Sequence, residues 1–205
     1  MVGQAMSQNL GQPFVVDVRP GAAGAIASVE VAHAPADGYK LLVATSSTHS
    51  VAPALSTQLK YNPVTDFTPI GLLAEGNNLL LVSNAVPFKN MKELLALAKQ
   101  KSGYLNYASS GIGSFGHLTF ELFGSQAGVQ ITHVPYEGTS ASGPDLMAGT
   151  VHMAADSLST ALPYLRDGRL RGLAVTGPRR SPLAPEIPTI GESVPGFSVV
   201  SWFGL

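Results

Sequence analysis

The sequence contains no cysteine. That removes disulfides, thiolate nucleophiles and cysteine-ligated zinc, and leaves the compartment open. Charge is also scarce. Asp, Glu, Lys and Arg make up 12% of the chain, the net charge is −1, and no run of either sign occurs. A nucleic-acid interface needs a patch that neutralises phosphates, and this chain has no material for one. No apolar run approaches the ~20 residues that a membrane span needs. The opening residues, Met1-Val2-Gly3-Gln4-Ala5-Met6-Ser7-Gln8, carry neither a basic segment nor an apolar core, so they do not form a signal peptide. The histidines His33, His49, His117, His133 and His152 show neither HExxH nor H-x-x-x-H spacing, and no metal site is expected.

What is present is a globular chain. Hydrophobic residues are 45% of 205, enough for a sizeable core in one large domain or two small ones. Val2, Met6 and Leu10 recur at spacing four and predict a helix ended by Gly11 and Pro13. Residues 14–18 predict a short strand, Arg19-Pro20-Gly21-Ala22-Ala23-Gly24 a turn, and the small-residue run to Ala34 a helix. Residues 40–44 predict a strand, and residues 51–59 a short helix or turn. Residues 70–74 and 79–82 predict two strands, the second of them a crossing between lobes. Asn90 with Glu93 resembles a capping box ahead of a helix whose apolar face is Met91, Leu94, Leu95 and Ala98.

The centre of the chain is a strand over 104–108, a polar Gly-rich loop, Ser109-Ser110-Gly111-Ile112-Gly113-Ser114-Phe115-Gly116, and a helix from His117. Such a loop aims backbone N–H groups at an anion on the helix N-terminus, where the helix dipole also favours negative charge. Gly111, Gly113 and Gly116 fit G-x-G-x-x-G, and Glu137 falls about 20 residues on, where a ribose-binding acid would sit in a dinucleotide site. The serines favour a small carboxylate instead. A purely structural loop is the third reading. A Ser nucleophile elbow fails, because Ile112 stands two residues before Ser114 where glycine is required.

Beyond the loop, residues 130–134, 151–155, 170–176 and 197–203 predict strands, and 139–148 and 158–166 predict helices. Strands that alternate with helices imply parallel sheets, whose ligands lie beyond the carboxyl ends of the strands. Those ends carry Thr45, Ser46, Ser47, Thr48 and His49; then Ser109, Ser110 and Ser114; then Tyr136; then Asp156 and Ser157. Hydroxyls dominate and no Lys or Arg is among them. That suits a small polar ligand and suits a polyphosphate poorly. His117 is either first-turn packing or a ligand contact, and His49 also follows a binding-type loop. His133 and His152 are expected as structural residues on strands. Asp156 is either a ligand-facing carboxylate or the N-cap of the helix at Leu158. Arg166, Arg169 and Arg171 are expected on a solvated face.

One ordered set of motifs resembles a known family. It comprises Arg19-Pro20-Gly21-Ala22-x-Gly24, Ala36-Asp37-Gly38-Tyr39-x-Leu41-Leu42, Thr48-His49 with Pro53-Ala54-Leu55, and Asn106-Tyr107-Ala108-Ser109 with Gly113-Ser114 and His117-Leu118. It continues through Val134-Pro135-Tyr136, Asp156-Ser157, Leu173-Ala174-Val175-Thr176, Pro188-Thr189 and Ser201-Trp202-Phe203-Gly204-Leu205. The set is similar to the substrate-binding proteins of tripartite tricarboxylate transporters, the Bug-type extracytoplasmic solute receptors.

The resemblance implies an α/β fold like a type II periplasmic binding protein, with two lobes of parallel-type sheets joined by crossing strands. Residues 1–75 with 177–205 would form the first lobe and 76–176 the second. It implies a non-enzymatic periplasmic receptor without a cofactor, closing on a small organic acid and handing it to membrane permease subunits. Di- and tricarboxylates, amino-acid anions and aromatic acids are the ligand classes. Thr45, Ser46 and His49 would line one lobe. Ser109, Gly113, Ser114, His117, Tyr136, Asp156 and Ser157 would line the other, with Asp156 selecting an ammonium or hydroxyl group. Family members begin with a signal peptide, a strand and a Pro/Gly-rich loop, and end with further first-lobe helices. The first lobe is therefore expected to be incomplete here. The runner-up function is an NAD(P)-dependent oxidoreductase, and the third is a truncated remnant that binds nothing.

Overall fold

The computed structural model describes residues 2–205, apart from the side chains at 139 and 140. Met1, the first residue of the stretch read for a targeting signal, lies outside the described residues. In chain order the elements are α1 (Val2–Leu10), α2 (Ala25–Ala32), β1 (Ala44–Thr45), a π-helical turn (Ser47–Val51) running into α3 (Ala52–Leu55), β2 (Leu72–Gly76) and β3 (Asn78–Ser83). Then come α4 (Met91–Gln100), β4 (Asn106–Ser109), α5 (Phe115–Ala127), β5 (Thr132–Pro135), α6 (Thr139–Ala148), β6 (Met153–Ser157), α7 (Leu158–Arg166), β7 (Leu170–Val175) and β8 (Ser201–Gly204).

The larger sheet has the order β5-β4-β6-β3-β7. Its spine is β3, buried at every position. The two-residue strand period sends Leu80 and Val82 to one face and Leu79 and Leu81 to the other, so each face nucleates its own core. On one face α4 and α5 contribute Met91, Leu94, Ala98, Phe120 and Phe123; on the other, α6 and α7 contribute Leu146, Leu158 and Ala161. The proline-rich segment after β7 wraps the sheet edge. Ala184 and Ile187 join the second core, and Ile190, Val194 and Phe197 join the first. The expected parallel pairing holds among β4, β5 and β6, whose connections are helical. β3 departs from it and runs antiparallel to both β6 and β7, because it arrives directly from the other sheet rather than through a helical crossover.

The smaller sheet, β1-β8-β2, is wholly antiparallel. The chain passes between the sheets twice, once through Asn77 between β2 and β3, and once where the Val199 N–H meets the Thr176 carbonyl just before β8. Buried polar groups tie the two crossings together. Ser201 Oγ donates to the Gly76 carbonyl at 3.1 Å and lies 3.2 Å from Asn78 Oδ1, and the Asn78 N–H donates to Thr176 Oγ1 at 3.1 Å.

Helix boundaries follow local chemistry. Asn90 Oδ1 accepts the Glu93 N–H at 3.0 Å, while Glu93 Oε2 accepts from the Lys89 N–H at 2.7 Å, one residue earlier than a standard capping box. α5 begins at the Ser114 cap and ends on Gly128, left-handed at φ 65°. α7 begins at Ser157, whose Oγ accepts the Thr160 N–H. The cap is thus Ser157 and not Asp156.

Three expectations in the first 60 residues need correction. Residues 14–18 form no strand. Val15, Val16 and Val18 are 90%, 77% and 75% exposed, since no described strand lies alongside to complete a ladder. The strand expected over 40–44 is reduced to the β1 pair with β8. The helix expected from residue 51 starts four residues earlier, at Ser47, and stops at Leu55. Apolar composition predicted strands in this region, but a strand exists only where a neighbour supplies the hydrogen bonds. Arg171 also leaves the solvated face, donating from Nη1 to the Phe88 carbonyl at 2.6 Å.

Candidate functional site

The Gly-rich loop and the hydroxyl-rich π-helical turn, far apart in sequence, meet between the sheets. The Phe115 N–H, first of α5, donates to Ser47 Oγ at 3.2 Å. A Cβ at Gly113 would lie 3.2 Å from Leu55 Cδ1. On the other side of the π-helical turn, a Cβ at Gly24 would lie 2.7 Å from Thr48 Cγ2. The turn Gly21–Gly24 is therefore pressed against this element. It holds Ala22 and Ala23 at φ 46° and 52°, a left-handed conformation that alanine adopts only under constraint.

Most of the hydroxyls expected to line a site are already engaged in building it. The Thr45 N–H donates to Thr48 Oγ1 at 3.0 Å, and the Thr48 N–H donates to Thr45 Oγ1 at 3.3 Å. Thr48 Oγ1 also lies 2.9 Å from His49 Nδ1. His49 packs its ring against Phe67, 4.8 Å away, and Tyr61. Ser114 is buried and its Oγ accepts the His117 N–H at 3.3 Å. Tyr136 lies beside the loop, its N–H bonded to the Ser109 carbonyl, but its hydroxyl donates to Asp145 at 2.7 Å. Burial and that carboxylate push the phenol up to about 12. Ser157 is occupied as the α7 cap. Asp156, two residues past the Ala108–Ala154 pair at the end of β6, accepts the Ser157 N–H at 2.7 Å. Ser46 is buried at the start of the π-helical turn.

A pair of imidazoles, tilted against each other, braces the loop from behind. His133 Nε2 lies 2.6 Å from Ser109 Oγ, and Ser109 Oγ also accepts the Gly111 N–H at 3.1 Å. The Gly113 N–H donates to His117 Nδ1 at 3.2 Å, which places the proton of the neutral ring on Nε2. The two rings are 4.3 Å apart, with Tyr107 stacked on His133 at 5.0 Å and bonded through its hydroxyl to Glu121 at 2.7 Å. Ser109 with His133 has the spacing of a nucleophile and base, but Ser109 is only 4% exposed and its oxygen is shared with the loop. The arrangement holds a backbone shape rather than attacking a substrate.

Sequence reasoning missed two members. Ser47 sat in the hydroxyl run but outside the chosen set, because the π-helical register that turns it toward Phe115 has no signature in composition. His133 was read as structural. The parallel register that pairs Tyr107 with His133 and Ser109 with Pro135 is what brings it to the loop.

Three half-buried histidines make stability pH-dependent. Burial holds His49, His133 and His152 below the usual 6.5, and for His133 the neighbouring His117 adds to the effect while Glu121 opposes it. The unfolded chain therefore binds more protons than the folded one as pH falls through 6.5. This contribution is complete above that value and is lost below it. The thermal midpoint is expected to drop between about pH 7.5 and about pH 5. A flat midpoint across that range would contradict the burial of these rings.

Two surface depressions lie away from this interface. One of 600 Å³ is lined by Pro53, Tyr61, Asn62 and Asp66, and one of 880 Å³ by Lys99, Phe120, Glu121 and Gln130. Among the described residues no helix is long and apolar enough to cross a membrane, and no group of three or more potential metal ligands occurs.

Comparison with known proteins adds four observations. The family model described as Tripartite tricarboxylate transporter family receptor matches residues 1–205. The chain is 38% identical over 208 residues to the UPF0065 protein in the tcbD-tcbE intergenic region of Pseudomonas sp. (strain P51), covering all of this chain and 61% of that protein. Among solved structures, R. palustris Rpa4515 with adipate is 40% identical with a TM-score of 0.95, over 99% of this chain and 68% of that one. MatC (Rpa3494) from Rhodopseudomonas palustris with bound malate is 35% identical with a TM-score of 0.91, over 99% of this chain and 69% of that one. The sequence thus spans roughly three fifths to two thirds of the length of the relatives it matches.

Proposed function

The chain belongs to the tripartite tricarboxylate transporter receptor family, and from that premise we propose that it binds a small organic carboxylate between its two sheets and presents it to membrane permease subunits. The observation that carries this reading is the meeting of the π-helical turn Ser47–Val51 with the loop and helix N-terminus at Ser109–Phe115. One element offers hydroxyls and the other offers backbone N–H groups on the positive end of a helix dipole, a combination suited to a carboxylate. The adipate and malate of the two structural relatives are ligands of this chemical kind. Asp156, which accepts from the Ser157 N–H and joins none of the ion pairs among the described residues, would favour a ligand bearing an ammonium or hydroxyl group.

The mechanism is hinge closure without chemistry. The smaller sheet, with residues 1–75, would form one lobe. The larger sheet would form the other, and segment 177–200, expected in the first lobe, would go with it because Ala184, Ile187, Ile190, Val194 and Phe197 pack into its two cores; the lobes would flex at the crossings near Asn77 and Thr176. The receptor would act in the periplasm. Two glycines of the G-x-G-x-x-G match are accounted for by the turn itself, since Gly111 and Gly113 have φ of 115° and 77°. A Cβ at Gly116 would meet the Ala155 carbonyl and Ser109 at 3.6 Å, an ordinary contact. The glycines therefore do not by themselves favour a dinucleotide.

A thermal-shift panel with adipate, malate, citrate and NAD(P) tests the proposal. A ligand at about 100 times its Kd adds ~2.7 kcal/mol. In a chain of this size that is about 5–10 °C. Stabilisation by a carboxylate and none by NAD(P) is expected. The double variant Ser109→Ala with Ser114→Ala should lose the carboxylate response, because it removes both the His133 brace and the α5 cap. Stabilisation by NAD(P) alone would sink the receptor reading, and no response to any compound would favour a chain that folds without binding.

A further inference from the structure

We propose that Ser47 is the latch of the closed form, holding the two lobes together by accepting the first N–H of α5. The inference deepens the receptor reading above and rests on it for its ligand-dependent part only. The geometry comes from the two elements themselves. The helical turn that carries Ser47 is π-helical, a wider winding that occurs mostly as local bulges at functional positions. It is fixed at its N-terminal end by the reciprocal Thr45–Thr48 bonds and from the side by Tyr61, whose hydroxyl donates to the Thr48 carbonyl at 2.7 Å. Ser47 is therefore presented on a rigid support.

The partner is equally well placed. Phe115 is the first residue of α5, where an N–H has no acceptor within the helix. Three neighbouring donors are supplied from their own lobe: His117 by Ser114 Oγ, Ser114 by the Gly111 carbonyl, and Gly113 by His117 Nδ1. The Phe115 N–H, by contrast, is satisfied from across the cleft, by Ser47 at 3.2 Å. Opening the lobes must break this bond, and closing them must make it. A hydroxyl that accepts from Phe115 still has its own proton to donate, so a carboxylate seated beside it would strengthen the bond rather than replace it. Leu55 against Gly113 supplies the apolar half of the same contact.

Amide hydrogen exchange reads this bond at one residue. In Ser47→Ala, without ligand, the Phe115 amide should exchange at least about tenfold faster, while Leu118, bonded inside α5 to the Ser114 carbonyl, should not change. Ser47→Thr keeps an oxygen and should restore protection. With adipate or malate added, Phe115 protection should rise in the parent chain and stay low in Ser47→Ala, and affinity for that acid should fall several-fold in the variant. Unchanged Phe115 exchange in Ser47→Ala overturns the latch, as does acceleration of Leu118 by the same factor. Faster Phe115 exchange with undiminished affinity overturns the coupling of latch to ligand. Faster Phe115 exchange in a chain that binds no carboxylate at all would leave the latch standing and remove the receptor reading instead.

Discussion

Tyr107→Ala is expected to destabilise the chain by about 3–5 kcal/mol, the range for deleting a large buried aromatic ring. Tyr107 is fully buried at the middle of β4, stacked 4.3 Å from Phe120 and 5.0 Å from His133. Alanine removes the ring that joins the core under α5 to the histidine pair behind the loop, and the close-packed surroundings cannot collapse fully into the space. At ~2–4 °C per kcal/mol for a chain of this length, the thermal midpoint should fall by about 6–20 °C. Tyr107→Phe separates ring from hydroxyl. It forfeits only the bond to Glu121, an exposed acceptor, and should cost about 1 kcal/mol. Urea titration of both variants checks the pair. A Tyr107→Ala midpoint close to that of Tyr107→Phe would mean that the ring carries little of the core. By contrast Val16→Ala, at a position 77% exposed, should lie within about 0.5 kcal/mol of the parent.

Gly113→Val is expected to abolish the response to carboxylates while the fold survives. Two costs coincide at this position. Gly113 has φ 77°, a left-handed conformation that a β-branched residue resists by about 1–2 kcal/mol. Its Cβ would then stand 3.2 Å from Leu55 Cδ1, before the branched methyls are counted. The first cost loosens the loop and the second holds the π-helical turn away, so Phe115 and Ser47 separate. The thermal midpoint should drop by only a few degrees, yet the stabilisation by adipate or malate should disappear. Gly128→Ala is the matched comparison. It too is left-handed, at φ 65°, but a Cβ there meets nothing within 4 Å. It should carry a similar backbone cost and keep the ligand response. A Gly113→Val chain that still answers to a carboxylate would show that the lobes need not approach at this point.

Where local chemistry sufficed, the elements were legible in the residues. Met91, Leu94 and Ala98 at helical spacing behind Asn90 gave α4, and the apolar run from His117 gave the body of α5, whose start at Phe115 behind the Ser114 cap came from the structure. The apolar run 79–82 gave β3, and the structure then divided its leucines between two cores. These are properties of caps, periods and turns within about ten residues of one another. Strand existence in residues 14–18 and 40–44 was not legible in the same way. A strand is completed by a neighbour, and whether one lies alongside is decided elsewhere in the chain. The antiparallel entry of β3 was hidden for the same reason.

The site divides along the same line. Its chemistry, hydroxyls without cations around a Gly-rich helix N-terminus, was fixed by residue types at the ends of strands. So was the position of the loop, since Gly111 and Gly113 hold conformations that few other residues tolerate. What only the tertiary structure decided was which of those hydroxyls are spent on the loops themselves and which faces the opposite lobe. Thr45, Ser109, Ser114, Tyr136 and Ser157 proved to be bonded within their own surroundings, and Asp156 gave up the helix cap to Ser157. Ser47 became the residue that joins the π-helical turn to α5. A hydroxyl takes the donor or acceptor that packing brings within about 3 Å. For Ser47 that partner lies 68 positions away, across a fold whose crossings had first to bring the two sheets together.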